Sequence, residues 1–250
     1  MLKCAILFSF QLIALCCNGQ TKIIYRADNA ILVFDIQSQQ RIILDTTLWE
    51  NERLLSVVAH RDSLLCLFKK NGLTFTRKYD VDKIGPLEEK INKTFVHKIN
   101  QNSYYFHNFY FKDYRLILFS NNGISLLKGD RLLWDGFLNY RFNKSLEDSR
   151  KPSTHTGFKY PILSPDENHF LVTSYRYNSL TPWVKLYEVD MDNGEMRLIR
   201  KNAHNPSYSA NGQYILLSNY PQGLYYIIDR AANKKLFDYG FEDAFWLTME

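Results

Sequence analysis

Short runs of consecutive apolar residues recur along the chain, each bounded by turn residues rather than continued at helical spacing. Examples are residues 30–34, 64–68 and 224–228. Continuous rather than alternating runs are typical of strands buried on both faces. Seventeen Tyr and seventeen Phe also favour strands over helices. The pattern predicts an all-β protein built from hairpins.

A segment of the second half repeats after 45 residues. Residues 160–173 align with residues 205–218, so that Pro161 falls on Pro206 and Ser164 on Ser209. In each copy a short Asx-containing stretch separates two apolar runs, and Asp or Asn side chains favour tight turns because they bond to the local backbone. A fixed period of this length indicates a repeat architecture with four strands per unit.

The first copy of this repeat carries a family resemblance. Residues 164–172 resemble the Ser-Pro-Asp-Gly core of TolB-like propeller repeats, and they are similar to the propeller domains of prolyl-oligopeptidase-type enzymes. The second copy keeps the glycine as Gly212 but has Ala210-Asn211 in place of the Pro-Asp pair. The Gly-His and Trp-Asp hallmarks of WD repeats are absent, so only the WD-like architecture is implied. The resemblance covers residues 159–240 and implies a β-propeller.

The predicted fold class is therefore an all-β β-propeller with five blades of four antiparallel strands. Residues 20–250 are expected to form one domain, since about 231 residues hold about five units of ~45. The N-terminal unit, residues 22–44, lacks an innermost strand. Residues 244–248 are expected to supply it and so close the ring against the N-terminal blade. A six-bladed ring and a strand-rich sandwich are the alternative folds.

The first nineteen residues have the order of a signal peptide: a basic start, an apolar run and a small polar exit. We expect a secreted or periplasmic protein whose mature chain has no transmembrane segment, because this run is shorter than the ~20 residues that span a bilayer. A lipoprotein anchored through Cys16 or Cys17 is the alternative. Cys66 is then the one cysteine left, and it is expected to be a small buried hydrophobe.

Charge and motifs exclude several functional classes. The 31 basic and 26 acidic residues are scattered, and a nucleic-acid partner is not expected without a basic stripe. The histidines lack metal-ligand spacing, and phosphate-loop and hydrolase motifs are missing, so no metal site, cofactor or catalytic residue is predicted. Asp35, Asp190 and Asp229 each follow a strand, which predicts turn caps rather than catalytic carboxylates.

The candidate binding residues lie in a long connection. In an up-and-down blade the tight turns lie at one face, and the long connections at residues 138–157 and 175–183 lie at the other. Loops on a rigid scaffold often carry function. The second connection combines large aromatics with a guanidinium, a composition enriched at binding hot spots. The candidate residues are Tyr175, Arg176, Tyr177, Asn178 and Trp183. The alternative is that these side chains merely pack the loop onto its blade.

These observations predict a monomeric, non-catalytic binding module for a protein or carbohydrate partner. One alternative is a five-bladed glycoside hydrolase, because Tyr25-Arg26-Ala27-Asp28 is similar to the N-terminal Asp segment of that group. No clear second or third acidic motif follows, and such enzymes need two carboxylates about 5–10 Å apart. Another alternative is a structural scaffold of a cell-envelope assembly.

Overall fold

The computed structural model describes residues 21–49, 51–60, 63–82, 84, 88–89, 107–118, 123–135, 156–176, 183–219, 222–237 and 240–249. The regular elements in these ranges are β-strands, and no helix there is long and apolar enough to cross a membrane. The predicted leader, with Cys16 and Cys17, lies outside the described residues. The chain divides into two compact units.

The first unit contains residues 1–91, 209–211 and 239–250. Its strands are β1 (Lys22–Ala27), β2 (Ala30–Asp35), β3 (Arg41–Asp45), β4 (Arg53–His60), β5 (Ser63–Lys70), β6 (Leu73–Asp80) and β7 (Glu88–Glu89), together with the last strand of the chain, β20 (Glu242–Met249). Sheet I has the antiparallel order β3-β2-β1-β20, and sheet II the antiparallel order β4-β5-β6. One parallel pairing, between Met249 of β20 and Ala59 of β4, joins the two.

The C-terminal strand completes the N-terminal sheet, as the sequence predicted. Ile23 of β1 pairs with Trp246 of β20, and Ile24 pairs with both Phe245 and Val33. Sheet II differs from a regular four-stranded unit, because the short strand β7 pairs with β20 and not with β6.

The second unit contains residues 92–208 and 212–238. Its strands are β8 (His107–Phe111), β9 (Tyr114–Leu118), β10 (Ile124–Lys128), β11 (Arg131–Asp135), β12 (Thr156–Leu163), β13 (His169–Arg176), β14 (Trp183–Asp190), β15 (Met196–Lys201), β16 (Ala203–Tyr208), β17 (Tyr214–Asn219), β18 (Tyr225–Asp229) and β19 (Lys234–Lys235). They form sheets III (β8–β11), IV (β12–β15) and V (β16–β19), each a four-stranded antiparallel meander. The all-β fold of four-stranded sheets is therefore confirmed.

The 45-residue repeat has a common backbone basis. The Ser164 hydroxyl donates to the carboxylate of Asp166, and Ser209 donates to the Asn211 side chain at 2.8 Å. Glu167 has φ +58° and its counterpart Gly212 has φ +70°. Glycine is favoured at such left-handed positions, which explains the glycine of the repeat core and shows that Glu167 adopts the same turn without it.

The aspartates that end three strands cap turns, as predicted. The Asp35 carboxylate accepts backbone N–H bonds from Gln37 and Ser38 at 2.9 and 3.1 Å. Asp190 accepts from Asp192 at 2.8 Å, and Asp229 accepts from Ala232 at 2.9 Å. Each carboxylate satisfies turn donors that no strand partner reaches, so these residues are structural.

Adjacent sheets pack face to face within each unit. Sheet IV is buried on both sides: Phe170 and Val172 contact the core shared with sheet III, whereas Leu171 contacts the core shared with sheet V. This alternation follows from the two-residue period of a strand. Cys66 has no exposed surface in the core between sheets I and II, and burial raises the pKa of its thiol to about 12. The prediction that Cys66 is a small buried hydrophobe is confirmed.

Candidate functional site

The β13–β14 connection, where the binding residues were predicted, is shorter than expected. Tyr175 pairs with Val184 and Arg176 pairs with Trp183, so the two strands extend through these residues and the connection spans 177–182. The expectation that the loop begins at Tyr175 is wrong, because cross-strand pairing continues beyond the apolar run. Tyr177 and Asn178 lie outside the described residues, as do the side chains of Tyr175, Arg176 and Trp183.

The β13–β14 connection of sheet IV lies at the same edge as the junction between β15 of sheet IV and β16 of sheet V. The N–H of Asn202, between β15 and β16, donates to the Val184 carbonyl at 2.6 Å. The next residue, Ala203, pairs with Asn219 at the end of β17. We call this the loop edge; the opposite edge, which carries the turns at residues 164–168, 191–195, 209–213 and 230–233, is the turn edge. The prediction that the tight turns of these two sheets lie opposite the β13–β14 connection is confirmed.

A small pocket of about 110 Å³ lies between β15 of sheet IV and strands β17, β18 and β19 of sheet V. Its lining residues are Arg200, Leu217, Asn219, Tyr226, Ile228 and Lys235. The pocket extends to the loop edge at Asn219. Sequence reasoning missed it because its two cations are 35 residues apart and come from different sheets. The basic pair Arg200-Lys201 at a strand end was the one available signal.

The pocket has a rigid floor and polar walls. Leu217 and Ile228 are buried in the core shared by sheets IV and V. The ammonium of Lys235 lies 3.9 Å from the centre of the Tyr226 ring, a cation–π contact that holds the charge in place. The Asn219 amide donates to the Gln222 side chain at 2.9 Å. The pocket therefore presents a lysine ammonium and an amide group above an apolar base.

Arg200 is an exposed cation of this pocket, and no carboxylate of the described residues forms an ion pair with it. Among the described residues it makes no salt bridge or side-chain hydrogen bond, although its backbone is fixed by pairing with Leu186. Lys201, its neighbour, pairs across the hairpin with Lys185, which places two like charges directly opposite each other.

Carboxylates are unevenly distributed along the described strands of sheets IV and V. Among the described side chains, the loop-edge half carries Lys185, Arg200 and Lys201 and no carboxylate, whereas cations and carboxylates are mixed in the turn-edge half, which holds Arg197, Arg230, Lys234 and Lys235. The described carboxylates lie in the turn-edge half, and they are Asp166, Glu167, Glu188, Asp190, Asp192, Glu195 and Asp229. The undescribed connection at 177–182 adds no acidic residue to the sequence. Among the described side chains, those of the loop-edge half of these two sheets therefore carry positive charge.

A buried network near the turn edge satisfies the most enclosed of these acids. Glu188, which is 4% exposed, accepts from Arg230 at 2.7 Å, Arg197 at 2.6 Å and the Tyr208 hydroxyl at 2.8 Å. Burial, and then the Glu188 charge, raise the pKa of Tyr208 well above its usual value of 10. The network joins sheets IV and V, and its carboxylate is neutralised from both.

The structure also places the residue considered for glycoside hydrolysis. Asp28 lies in the exposed two-residue turn between β1 and β2 with φ +49°. Its carbonyl accepts a long hydrogen bond from Arg26 at 3.4 Å. Aspartate tolerates this left-handed conformation better than most residues. The turn alone therefore explains an aspartate at this position, and a catalytic role is not needed to explain it. Among the residues that the structure describes, no group of three His, Cys, Asp or Glu side chains is arranged to hold a metal.

Comparisons with known proteins bear on the fold and not on the activity. No family model and no curated protein matches the chain. Solved β-propeller structures are similar to it at low identity. A putative 6-phosphogluconolactonase from Bacteroides fragilis is 11% identical with a TM-score of 0.35, covering 93% of this chain and 99% of its own. An oligogalacturonate lyase in complex with manganese is 8% identical (TM-score 0.34, 85% and 60% covered). The tricorn protease is 9% identical (TM-score 0.36, 91% and 34% covered).

These similarities carry no argument about substrate, cofactor or partner, because the identities are 11% or less and the three TM-scores are below 0.5. Membership of the TolB-like group stays a prediction, since it rests on the repeat residues alone. The function must be argued from the loop edge itself.

Proposed function

We propose that the protein is a non-catalytic binding module that engages a protein or glycan partner at the loop edge of sheets IV and V. One observation carries this proposal: the β13–β14 connection and the basic pocket between sheets IV and V lie at the same edge. Scaffolds present binding groups on connections held by rigid strands. Tyr175, Arg176, Tyr177, Asn178 and Trp183 belong to this proposed surface.

The arrangement of carboxylates supports binding over hydrolysis. Glycoside hydrolysis requires two carboxyl groups flanking one bond. In the described part of sheets IV and V the acidic side chains lie in the turn-edge half, and none of them lines the pocket. Asp28 is an exposed turn residue in the other compact unit. A binding role needs no such pair, and the loop edge supplies cations and amide groups instead.

The experiment compares binding with turnover on the same material. The mature chain, residues 20–250, is screened against immobilised polysaccharides and extracellular proteins, and binders are re-measured with Trp183→Ala and with Tyr175→Ala. Trp49→Ala is the matched control, because Trp49 is 63% exposed in the other unit. The proposal expects binding that weakens about tenfold or more in the first two variants and is unchanged in the control.

Turnover is measured as release of reducing ends from the same polysaccharides. Release that Asp28→Asn abolishes would replace the binding proposal by the hydrolase alternative. Equal binding by the wild type, Trp183→Ala and Tyr175→Ala would move the partner surface away from the loop edge.

We further propose that residues 1–19 direct the chain out of the cytoplasm as a cleaved signal peptide. Fractionation of cells expressing the full chain is expected to give a mature protein that begins near Gln20 in the periplasm or medium. Deletion of residues 1–19 is expected to retain the protein in the cytoplasm. A membrane-bound product that carries lipid on Cys16 or Cys17 would show the lipoprotein alternative instead.

A further inference from the structure

We infer that the turn between β5 and β6 is a site of spontaneous chemical modification, at which the side chain of Asn71 loses ammonia and becomes aspartate or isoaspartate. An asparagine followed by glycine is prone to this reaction, because glycine has no side chain to shield its backbone nitrogen. The chain has five such pairs, which begin at residues 18, 71, 122, 193 and 211, and residues 18 and 122 lie outside the described residues. The inference is independent of the proposed function, because the β5–β6 turn belongs to the first unit and not to sheets IV and V.

The reaction needs only water as a reactant. The backbone nitrogen of Gly72 gives up its proton to the solvent and bonds to the side-chain carbon Cγ of Asn71. The bond from Cγ to Nδ2 breaks, and the nitrogen keeps the electron pair, takes up one proton and departs as ammonia. Water then opens the succinimide ring: cutting the new bond to Cγ gives aspartate, and cutting the bond to the backbone carbonyl carbon of residue 71 gives isoaspartate. The net change replaces the side-chain NH2 by OH, with no oxidation or reduction.

Neither reacting group of the Asn71-Gly72 pair is held by a hydrogen bond. Among the residues that the structure describes, the Asn71 side chain has no hydrogen-bond partner and the Gly72 N–H has no acceptor. Both residues are exposed, with φ +49° and +83°. They form a two-residue hairpin turn that is closed by the pairing of Lys70 with Leu73. The end of the hairpin can therefore rearrange towards the ring without breaking a bond of the turn residues themselves.

The Asn193-Gly194 pair, in contrast, is held at both reacting groups. The Gly194 N–H, which would have to attack, donates to the Asp190 carbonyl at 2.9 Å. The side-chain oxygen of Asn193 accepts from the backbone N–H of Glu195 at 2.7 Å. A Cβ atom added to Gly194 would lie 2.3 Å from the carbonyl oxygen of Leu133, so this backbone has little room to move. Ring closure here requires two hydrogen bonds to break in a confined turn.

The Asn211-Gly212 pair is held through the asparagine side chain. Its amide nitrogen donates to the Thr21 hydroxyl at 3.1 Å, and its carbonyl oxygen accepts from the Ser209 hydroxyl at 2.8 Å. Gly212 itself is buried, and a Cβ atom added there would lie 3.4 Å from Pro165. A hydrogen bond that must break before the ring can close raises the barrier, and one such bond corresponds to about a tenfold change in rate. The structure therefore ranks Asn71 as the fastest of the three described sites.

Conversion changes both the charge and the backbone of the β5–β6 hairpin. Each event adds one negative charge directly after Lys69 and Lys70 in the chain. Isoaspartate also routes the main chain through Cγ and lengthens the turn by one atom, which does not fit a two-residue hairpin turn. The modified chain is therefore a distinct, more acidic form of the protein, altered at the exposed end of sheet II.

The experiment follows the three described sites in one sample. The mature chain, residues 20–250, is incubated in mildly alkaline buffer, and samples are digested with trypsin, which places the three asparagines on separate peptides. Conversion is measured by mass spectrometry, and isoaspartate is identified by its methylation with a protein isoaspartyl methyltransferase. A sample digested at zero time corrects for conversion during digestion. The incubation is repeated in guanidinium chloride, in which the chain is unfolded.

In the folded protein, Asn71 is expected to convert about tenfold or more faster than Asn193 and Asn211. In guanidinium chloride the three rates are expected to converge, because each asparagine precedes glycine and the protecting hydrogen bonds are lost. Asn71→Gln removes the reacting side chain, and Gly72→Ala places a methyl group beside the attacking nitrogen without meeting any atom within 4 Å. Each variant, shown to be folded by circular dichroism, should suppress conversion at residue 71 and leave the other two sites unchanged.

Three results would overturn the inference. Conversion of Asn193 or Asn211 as fast as that of Asn71 in the folded protein would show that these hydrogen bonds do not control reactivity. The same ratio of rates in guanidinium chloride would assign the ranking to the neighbouring sequence and not to the fold. An Asn71 that stays intact in the folded protein while the unfolded chain converts would show that the hairpin turn protects it.

Discussion

The turn between β14 and β15 provides the sharpest test of how neighbouring sheets pack. Gly194 in this turn has φ +76°, and a Cβ atom added there would lie 2.3 Å from the carbonyl oxygen of Leu133 and 2.9 Å from its carbonyl carbon. Leu133 belongs to the outer strand of sheet III. Normal non-bonded separations are about 3.5–4.0 Å between carbons. Replacing Gly194 by alanine therefore requires the sheet IV turn or the sheet III strand to move by about 1 Å.

Backbone conformation alone does not require glycine here. The equivalent position in the turn after Asp229 is Asn233 with φ +49°, and in the turn after Asp35 it is Gln39 with φ +56°. These turns accept a side chain in the left-handed region. Gly194 differs from these positions because the carbonyl of Leu133 lies where its Cβ atom would be, so the absence of a side chain reflects the contact between two sheets.

The magnitude follows from separating these two costs. Alanine in the left-handed region costs about 1–2 kcal/mol. Overpacking against a backbone that cannot easily move adds about 1–3 kcal/mol. Gly194→Ala is therefore expected to lower the free energy of unfolding by about 2–5 kcal/mol. The matched control is Gly223→Ala, at φ +75° with no atom within 4 Å of the added Cβ, which carries only the first cost.

The assay is equilibrium unfolding in urea, followed by far-ultraviolet circular dichroism and tryptophan fluorescence. The stabilising effect of alanine through the unfolded chain is common to both variants and cancels in their difference. We expect Gly194→Ala to be less stable than Gly223→Ala by about 1–3 kcal/mol. Equal losses in the two variants would refute the close approach of the β14–β15 turn to Leu133.

Three further predictions concern stability. Glu188→Ala removes the buried carboxylate that accepts from Arg197, Arg230 and Tyr208, and it should lower the free energy of unfolding by about 3–5 kcal/mol. The exposed Glu195→Ala should change this free energy by less than about 0.5 kcal/mol in the same urea titration. Burial would raise the pKa of Asp45, but hydrogen bonds from its neighbours lower it to about 2. The stabilisation is therefore present above the unfolded pKa of ~3.9 and is lost as the pH falls towards 2. Unfolding titrations of wild type and Asp45→Asn should differ by about 1–2 kcal/mol at pH 7, and this difference should shrink as the pH falls from about 4 towards 2. Leu247→Ala in the closing strand should lower the free energy of unfolding, measured by calorimetry, by about 2–5 kcal/mol. Leu73→Ala, at a leucine that is 74% exposed, should lower it by less than about 0.5 kcal/mol. Equal losses of stability in the two members of any of these pairs would contradict the assignments.

The described part of the fold was largely predictable because its signals are local. Asp35 bonds to the backbone two and three residues further on, and the same turn recurs after Asp190. Such contacts depend on a few adjacent residues, so the sequence contains the whole interaction. The closing strand is the exception among long-range features: it was predictable because the N-terminal unit lacked one strand and residues 244–248 had the apolar character to supply it.

The candidate site was predictable only in part. The loop edge followed from strand alternation, which sets the edge at which each connection lies. The sequence did not predict that strand β13 extends to Arg176. A charged residue can continue a strand when its backbone groups pair with a neighbouring strand, as Arg176 does with Trp183. Sheet II, in which β7 pairs with β20, also escaped prediction, since a two-residue strand leaves no periodic signal.

The amino-acid sequence by itself determined the strands, the 45-residue repeat and the turn chemistry of Asp35, Asp190 and Asp229. Only the tertiary structure decided where Arg200 and Lys235 meet, and why glycine stands at position 194 against Leu133. The physical reason is the range of the interactions. Hydrogen bonding within a turn involves neighbours along the chain, whereas a pocket or a close backbone contact depends on how two separately formed sheets pack against each other.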